Sequence, residues 1–265
     1  MRREQPQEVK LTHNGGVPVL DIIQVMDNIV GRLQSELSPL QVEVIAGSVL
    51  GDARLECRST GVRYPTSARV RVHQSDVQKE YVFWKYKALE NLCLKEPRRV
   101  MVWHDPKRNK DHYSWYFHTK TLTVLSELHR WFYHDGVKVF PKDIEHILTP
   151  RMLAVWFMDD GSFVGRGATI NTHCFSMEEQ ELVVKMLHDR FDIPATIVKD
   201  RTKYKIAINR WGFEKLAEII APFIIPTMAY KIAYPRNDLA SKLNFGTGVT
   251  PTKGGRVANT SVPIK

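Results

Sequence analysis

Two stretches of this chain end an apolar helix pattern in carboxylate. Six consecutive apolar residues, Leu153 to Met158, lead into Asp159 and Asp160, and Gly161 follows as a C-cap. Ahead of them Thr149 and Pro150 suit an N-cap and the first helical position, where the missing N–H of proline costs nothing. The earlier stretch is built alike: Ser38 and Pro39 open it, the apolar residues 42–50 are interrupted only by Glu43 and small residues, and Asp52 ends it. A helix C-terminus carries partial negative charge, so carboxylates there require positive charge nearby. A divalent cation held by carboxylate oxygens is the most economical compensator. The competing expectation is a polar helix end facing water, because Asp-Gly is also an ordinary turn signal.

The elements around the carboxylates show how they are brought together. Gly47 and Gly51 lie four apart on one face of the first helix. Each glycine weakens an isolated helix by about 1 kcal/mol, and close approach of a second helix is a good reason to keep two. Strand-like stretches follow each carboxylate, at 54–64 and at 69–74, and again at 196–199 and 203–209 beyond the turn at 200–202. Alternation in 69–74 puts Arg69, Arg71 and His73 on one face and Val70 and Val72 on the other. The same alternation puts Lys203, Lys205 and Asn209 opposite Tyr204, Ile206 and Ile208. Such strands are either solvated faces or half-buried sheets presenting a basic surface. Helical patterns are predicted at 20–37, 76–94, 122–133, 177–191 and 213–220, with Ser176 and Glu179 as a capping box. Residues 98–110 read as a basic loop, and 112–119 as a strand. The order helix, strands, helix, strand, helix occurs twice, which predicts an internally duplicated α+β fold with mostly antiparallel strands.

Paired at the helix ends, Asp52 and Asp160 would repel and hold protons unless cations bound between them. With magnesium bound, such a pair suits phosphodiester hydrolysis, and two related aspartates match the two strands of a duplex. Composition agrees. The 265 residues carry a net charge of +9, which points to a polyanion, nucleic acid first and an anionic membrane surface second. With 43% apolar residues the chain has a core to bury. No apolar run reaches membrane-spanning length. The basic N-terminus has no apolar segment behind it, so a secretory signal is not expected. Three scattered cysteines, Cys57, Cys93 and Cys174, indicate a reducing compartment, such as an organelle interior or a bacterial cytoplasm, with no disulfide framework. The histidines between 104 and 146 match no recognised zinc spacing. Residues 239–265 contain four basic and no acidic residues and read as a flexible tail that adds phosphate contacts.

The stretches Ile45–Ala53 and Leu153–Gly161 resemble the paired motifs of the LAGLIDADG homing endonucleases. Residues 148–150, 170–173, 175–178 and 225–231 extend the resemblance to the single-chain branch of that family, over residues 38–234 in all. The resemblance implies two αββαββα half-domains forming a saddle of two antiparallel sheets that sit in the DNA major groove. The expected partition is 1–37 for an N-terminal arm and helix, 38–146 and 147–235 for the half-domains, and 236–265 for the tail. It also implies a magnesium-dependent endonuclease, with manganese able to substitute, acting as a monomer on a long asymmetric double-stranded target. The motif aspartates Asp52 and Asp160 would hold the metal, and Lys138 and Lys231 would be the basic active-site residues. Base-reading candidates are Arg69, Arg71, His73, Gln74, Thr172, His173, Lys203, Lys205 and Asn209. Arg54, Arg58, Arg63, Lys107, Arg108, Lys110, Arg166, Lys199 and Arg201 complete the expected DNA-facing set. Departures from the motif are Leu50 and Ala53 in the first copy and Val155 and Asp159 in the second; Asp159 is expected to be secondary. The alternative within the family is a maturase that binds intron RNA and assists splicing without cutting DNA.

Overall fold

A computed structural model of the chain describes residues 31, 33, 35–57 and 67–233. The arm at 1–17, most of the helix expected at 20–37, and the tail at 239–265 lie outside the described residues; so do Arg58 and Arg63. Helix α1 (Pro39–Leu50) leads into β1 (Arg54–Cys57), β2 (Ala68–Ser75), α2 (Lys79–Leu89), β3 (Arg98–Asp105), β4 (Lys110–His118) and α3 (Val124–Phe132). A small hairpin, β5 (Tyr133–His134) and β6 (Val137–Lys138), then precedes the second round. That round is α4 (Pro150–Asp160), β7 (Gly161–Val164), β8 (Gly167–Ile170), α5 (Met177–Phe191), β9 (Ala195–Asp200), β10 (Lys203–Ile208) and α6 (Arg210–Ile220). The two four-stranded antiparallel sheets have the same order, β1-β2-β4-β3 and β7-β8-β10-β9. The fold is α+β and internally duplicated, as the chain predicts, and its repeated unit is the αββαββα that the family resemblance implies.

Helices α1 and α4 form the spine. Ser38 accepts from the Gln41 N–H in a full capping box, and Thr149 accepts from the Met152 N–H, with proline at the first turn of each helix. Residues Met152 to Asp159 of α4 are all buried, as are Val44 to Leu50 of α1. Burying Trp156 and Phe157 alone contributes about 2–3 kcal/mol each. The helices meet at Gly47, where a Cβ would lie 2.6 Å from the Met152 carbonyl oxygen and 2.8 Å from Val155 Cβ. Glu43, which interrupts the apolar run, ties the helix starts together: it accepts from the Thr149 hydroxyl at 2.7 Å and pairs with Arg151.

The sheets keep the predicted alternation. In β2, Ala68, Val70, Val72 and Gln74 are buried, while Arg69 and Arg71 are half-buried and His73 is exposed. The second basic strand pair has a different counterpart from the one sequence order suggests. The repeat equivalent of β2 is β8, in the other sheet, and β9–β10 answer β3–β4. The expected basic loop at 98–110 is in fact most of a hairpin. Asp105 holds its turn by accepting from the Lys107 and Arg108 N–H groups at 3.0 and 3.3 Å, and Asn109 takes the left-handed conformation at φ 46°. Almost every residue of β3 is exposed on this edge strand, so no apolar alternation marks it in the sequence.

Candidate active site

The C-terminal ends of α1 and α4 bring three carboxylates together. Asp52 is exposed, Asp160 is partly buried, and the Asp159 side chain is fully buried. Their mutual influence shows in Asp160. Burial first, then the charges of Asp52 and Asp159, push its carboxyl up to about 7, with Lys138 and Lys231 pulling back.

The misplaced negative charge at the helix ends has a protein answer. Lys138 Nζ donates to the carbonyl oxygens of Leu50 and Gly51 at 3.0 and 2.7 Å, capping α1. Lys231 Nζ donates to the carbonyl oxygens of Met158 and Asp159, the latter at 3.0 Å, capping α4. Each ammonium therefore sits on the negative end of one motif helix, supplied from outside the helix by β6 or by the turn at Pro226–Lys231. Each has three donors and spends two on carbonyls, leaving one N–H for another acceptor. Burial lowers the pKa of both lysines, opposed for Lys138 by the nearby Cys174, Asp160, Asp159 and Asp52 and for Lys231 by the same three aspartates.

Asp159 is far from secondary in this arrangement. Lys85 Nζ donates to both of its carboxylate oxygens, at 2.7 and 2.9 Å, and Gln74 Nε2 donates to Oδ1 at 2.7 Å. The Asp52 N–H reaches Asp159 Oδ2 at 3.3 Å, and Gln74 Nε2 also reaches Asp52 Oδ2 at 3.3 Å. Burial raises the Asp159 pKa, and the Lys85 charge works against it. Sequence reading missed Lys85. The signal was present: Tyr81, Lys85 and Leu89 recur every four residues on the buried face of α2, and a lysine in such a stripe needs an anion.

The residues fit a hard cation. Asp52 and Asp160 offer carboxylate oxygens, and the amide oxygen of Gln74, attached to the carbon whose nitrogen bridges Asp52 and Asp159, is buried without a partner. Among the described residues no three His, Cys, Asp or Glu side chains converge to hold an ion by themselves. Two carboxylates with water and phosphate filling the remaining positions is how magnesium is ordinarily held, so the donor set suits that ion better than zinc.

The expected DNA-facing residues divide. Arg54, Lys107, Arg108, Lys110, Arg166, Lys199, Arg201 and Lys203 are exposed. Arg69 and Arg71 stand on the open face of β2 and share Glu56, at 2.8 and 3.1 Å. His73 meets the Ser114 hydroxyl at 2.5 Å, and burial, then the Arg71 charge, lowers its pKa. Lys205 and His173 both pair with Asp200, at 2.9 and 3.2 Å. Three residues are placed otherwise than expected. Gln74 shares the valine face of β2, as strict alternation implied, and the structure turns it into the carboxylate cluster rather than towards bases. Thr172 is fully buried and donates to Gln180 at 2.9 Å, because the chain turns inward after β8. Asn209 lies past β10 and caps α6 by accepting from the Gly212 N–H at 2.9 Å. Asn209→Ala is therefore expected to cost about 1 kcal/mol in a urea melt while leaving base preference unchanged in a binding selection.

A family model described as the LAGLIDADG DNA endonuclease family matches residues 42–216. The chain is 31% identical over 214 residues to the DNA endonuclease I-ChuI of Chlamydomonas applanata, covering 74% of this chain and 96% of that protein. It is 29% identical over 217 residues to the cytochrome b mRNA maturase bI2 of Saccharomyces cerevisiae; that match covers 78% of this chain and 49% of the maturase, so the chain spans about half of that relative. Its fold is similar to that of the homing endonuclease I-WcaI, solved bound to its DNA recognition sequence, with a TM-score of 0.68 over 84% of this chain and 96% of that one at 21% identity. The matched region takes in both helices that carry the carboxylates, and the chain belongs to the LAGLIDADG DNA endonuclease family.

Proposed function

We propose that the chain is a site-specific double-stranded DNA endonuclease, encoded by a group I intron, that uses magnesium to hydrolyse one phosphodiester bond in each strand of a long asymmetric target. The observation that carries this reading is the pairing of Asp52 and Asp160 at the ends of two close-packed helices, each end capped by its own lysine. The resident ion would polarise the phosphate and lower the pKa of a bound water. Asp52 and Asp160 would hold it, and Gln74, which donates to Asp52, would keep that carboxylate in place. Lys138 and Lys231 would each turn their remaining N–H towards a phosphate oxygen or the attacking water, stabilising negative charge as it develops. Their lowered pKa values make proton transfer at Nζ easier than for a lysine in water. The exposed basic residues and the open face of the sheets supply phosphate and base contacts. The two sheets carry different side chains, which supports an asymmetric site read by one chain.

The test is a supercoiled plasmid carrying the uninterrupted sequence that flanks the gene. Purified protein with magnesium is expected to linearise it, and EDTA to stop the reaction. Persistence of intact plasmid under all divalent ions would refute the reading. The likeness to cytochrome b mRNA maturases favours a second reading, assistance to intron splicing, alone or alongside cutting. Acceleration of intron RNA splicing with no cutting of intronless DNA would establish that one.

The ion should also depend on pH in a defined direction. Asp160 carries its proton up to about 7 in the folded chain, against about 4 for an unfolded aspartate. Folding therefore binds a proton between these values, and without a divalent ion this group's contribution to stability falls as pH rises from about 4 to about 7. Ion binding needs the carboxylate free. Apparent magnesium affinity is expected to climb by up to about tenfold per pH unit below pH 7 and level off above it. Isothermal titration of the protein without DNA reads this slope, and a flat profile across that range would exclude Asp160 as a ligand.

A further inference from the structure

We propose that Lys85 and Asp159 are a buried positioning pair that fixes Asp52, which lies across the seam from Asp159 and in the same half as Lys85, so that the two halves of the active site are held unequally. The proposal rests on the endonuclease reading above.

The asymmetry begins at one position in each motif helix. The residue before the metal-binding aspartate is Gly51 in the first copy and Asp159 in the second. A Cβ on Gly51 would lie 2.4 Å from Asp159 Cβ and 2.7 Å from its Oδ2, so the seam has room for one side chain there, and the second copy supplies it. That side chain reaches into the other half. Asp159 Oδ2 accepts from the Asp52 N–H, and Gln74 Nε2 links Asp159 Oδ1 to Asp52 Oδ2. Both the backbone and the carboxylate of Asp52 are thereby tied to one buried group.

Asp159 can serve only because Lys85 holds it. Lys85 comes from α2 of the first half, is 1% exposed, and spans both carboxylate oxygens. Tyr81, one turn earlier, places its ring 4.4 Å from the ammonium and donates its hydroxyl to the Val155 carbonyl at 3.1 Å. The pair is thus buried between α2 and α4. Among the described residues nothing equivalent braces the other side. Among the described residues no hydrogen bond reaches the Asp160 carboxylate, and α5, which answers α2, turns Gln180 to Thr172 and the Phe175 carbonyl instead. A buried ion pair is a poor way to gain stability, since apolar residues of similar size do as well or better. Its geometry here serves orientation: a rigid anion with two fixed acceptor sites, both aimed at Asp52 and its partner Gln74.

The experiment compares the parent with Lys85→Met/Asp159→Asn and Lys85→Met/Asp159→Ala on the supercoiled target plasmid. Each double variant removes both charges, so no unpaired ion is left inside. The Asn variant preserves size and is decisive if the Ala variant does not fold, as judged by thermal melting. Loosening Asp52 should slow the cut whose phosphate faces it more than the other. Nicked circle is expected to accumulate, with the nicked-to-linear ratio rising about tenfold or more, the scale on which supporting residues act on metal sites. End-labelled duplexes should assign the lost cut to the same strand in both variants. A pair that served stability alone would reduce the active fraction and lower both cuts together; a folded variant with the parent's ratio therefore overturns the proposal. A parent that cuts no DNA would instead overturn the endonuclease reading beneath it.

Discussion

Asp160→Asn is expected to lower double-strand cleavage by on the order of 10³-fold while leaving the melting temperature unchanged or raising it. The two halves of this expectation have one cause. Asp160 is a carboxylate that the fold disfavours: burial and the charges of Asp52 and Asp159 push its pKa up to about 7. Above that pH the folded protein carries a charge that the unfolded chain would hold at less cost, so a neutral isostere relieves the fold. The same substitution removes the negative charge that an ion requires. A gain in stability with a loss of activity marks a group kept for chemistry rather than for packing. Asp52→Asn should also abolish double-strand cutting. Cleavage is measured by plasmid linearisation and stability by a thermal melt at pH 8. Cutting by Asp160→Asn at the parent rate would remove Asp160 from the active site.

Gly47→Ala is expected to cost about 2 kcal/mol and lower the melting temperature by about 4–8 °C. Alanine favours an isolated helix over glycine by about 1 kcal/mol, so propensity alone predicts stabilisation. Packing wins because the new Cβ would meet backbone, 2.6 Å from the Met152 carbonyl oxygen, as well as Val155 Cβ at 2.8 Å. A flexible side chain could swing away; a helix backbone gives only if α1 and α4 separate. Their separation would also displace Asp52 from Asp159 and Gln74, so cleavage should fall further than the loss of folded protein explains. An unchanged melting temperature would mean that the helices do not meet at Gly47.

Much of the molecule is local and was therefore legible in the chain. Ser38 with Gln41, Thr149 with Met152, and Ser176 with Glu179 are contacts within one turn, and each appears in the structure as the residue types predict. Alternation in β2 and β10 is a two-residue rule, and it sorted the arginine and lysine faces from the apolar ones. It sorted Gln74 as well, onto the valine face, although its polarity suggested an outward role. The strand at 112–119 was legible and is part of β4, but β3 and its turn escaped because an exposed edge strand imposes no apolar pattern, and the Asp105 turn is a matter of backbone bonding. Thr172 and Asn209 lie where a strand has just ended, and the turn that follows, inward or into a helix cap, is decided by what packs there.

The sequence by itself determined that two apolar helices end in carboxylate, that one of them is notched with glycine, and that the chain repeats its element order. From these came the pairing of Asp52 with Asp160. Only the tertiary structure decided what balances the charge. The chain alone pointed to a divalent cation and, through the family resemblance, to Lys138 and Lys231; the fold sets those two on the helix ends and adds Lys85, from three elements distant in sequence. It also made Asp159, which sequence order leaves as one of two neighbouring carboxylates, the buried link between halves. The physical reason is range. Caps, periodicity and glycine spacing act within a few residues, but a charge taken out of water interacts with whatever the fold brings within a few ångströms, wherever in the chain that group began.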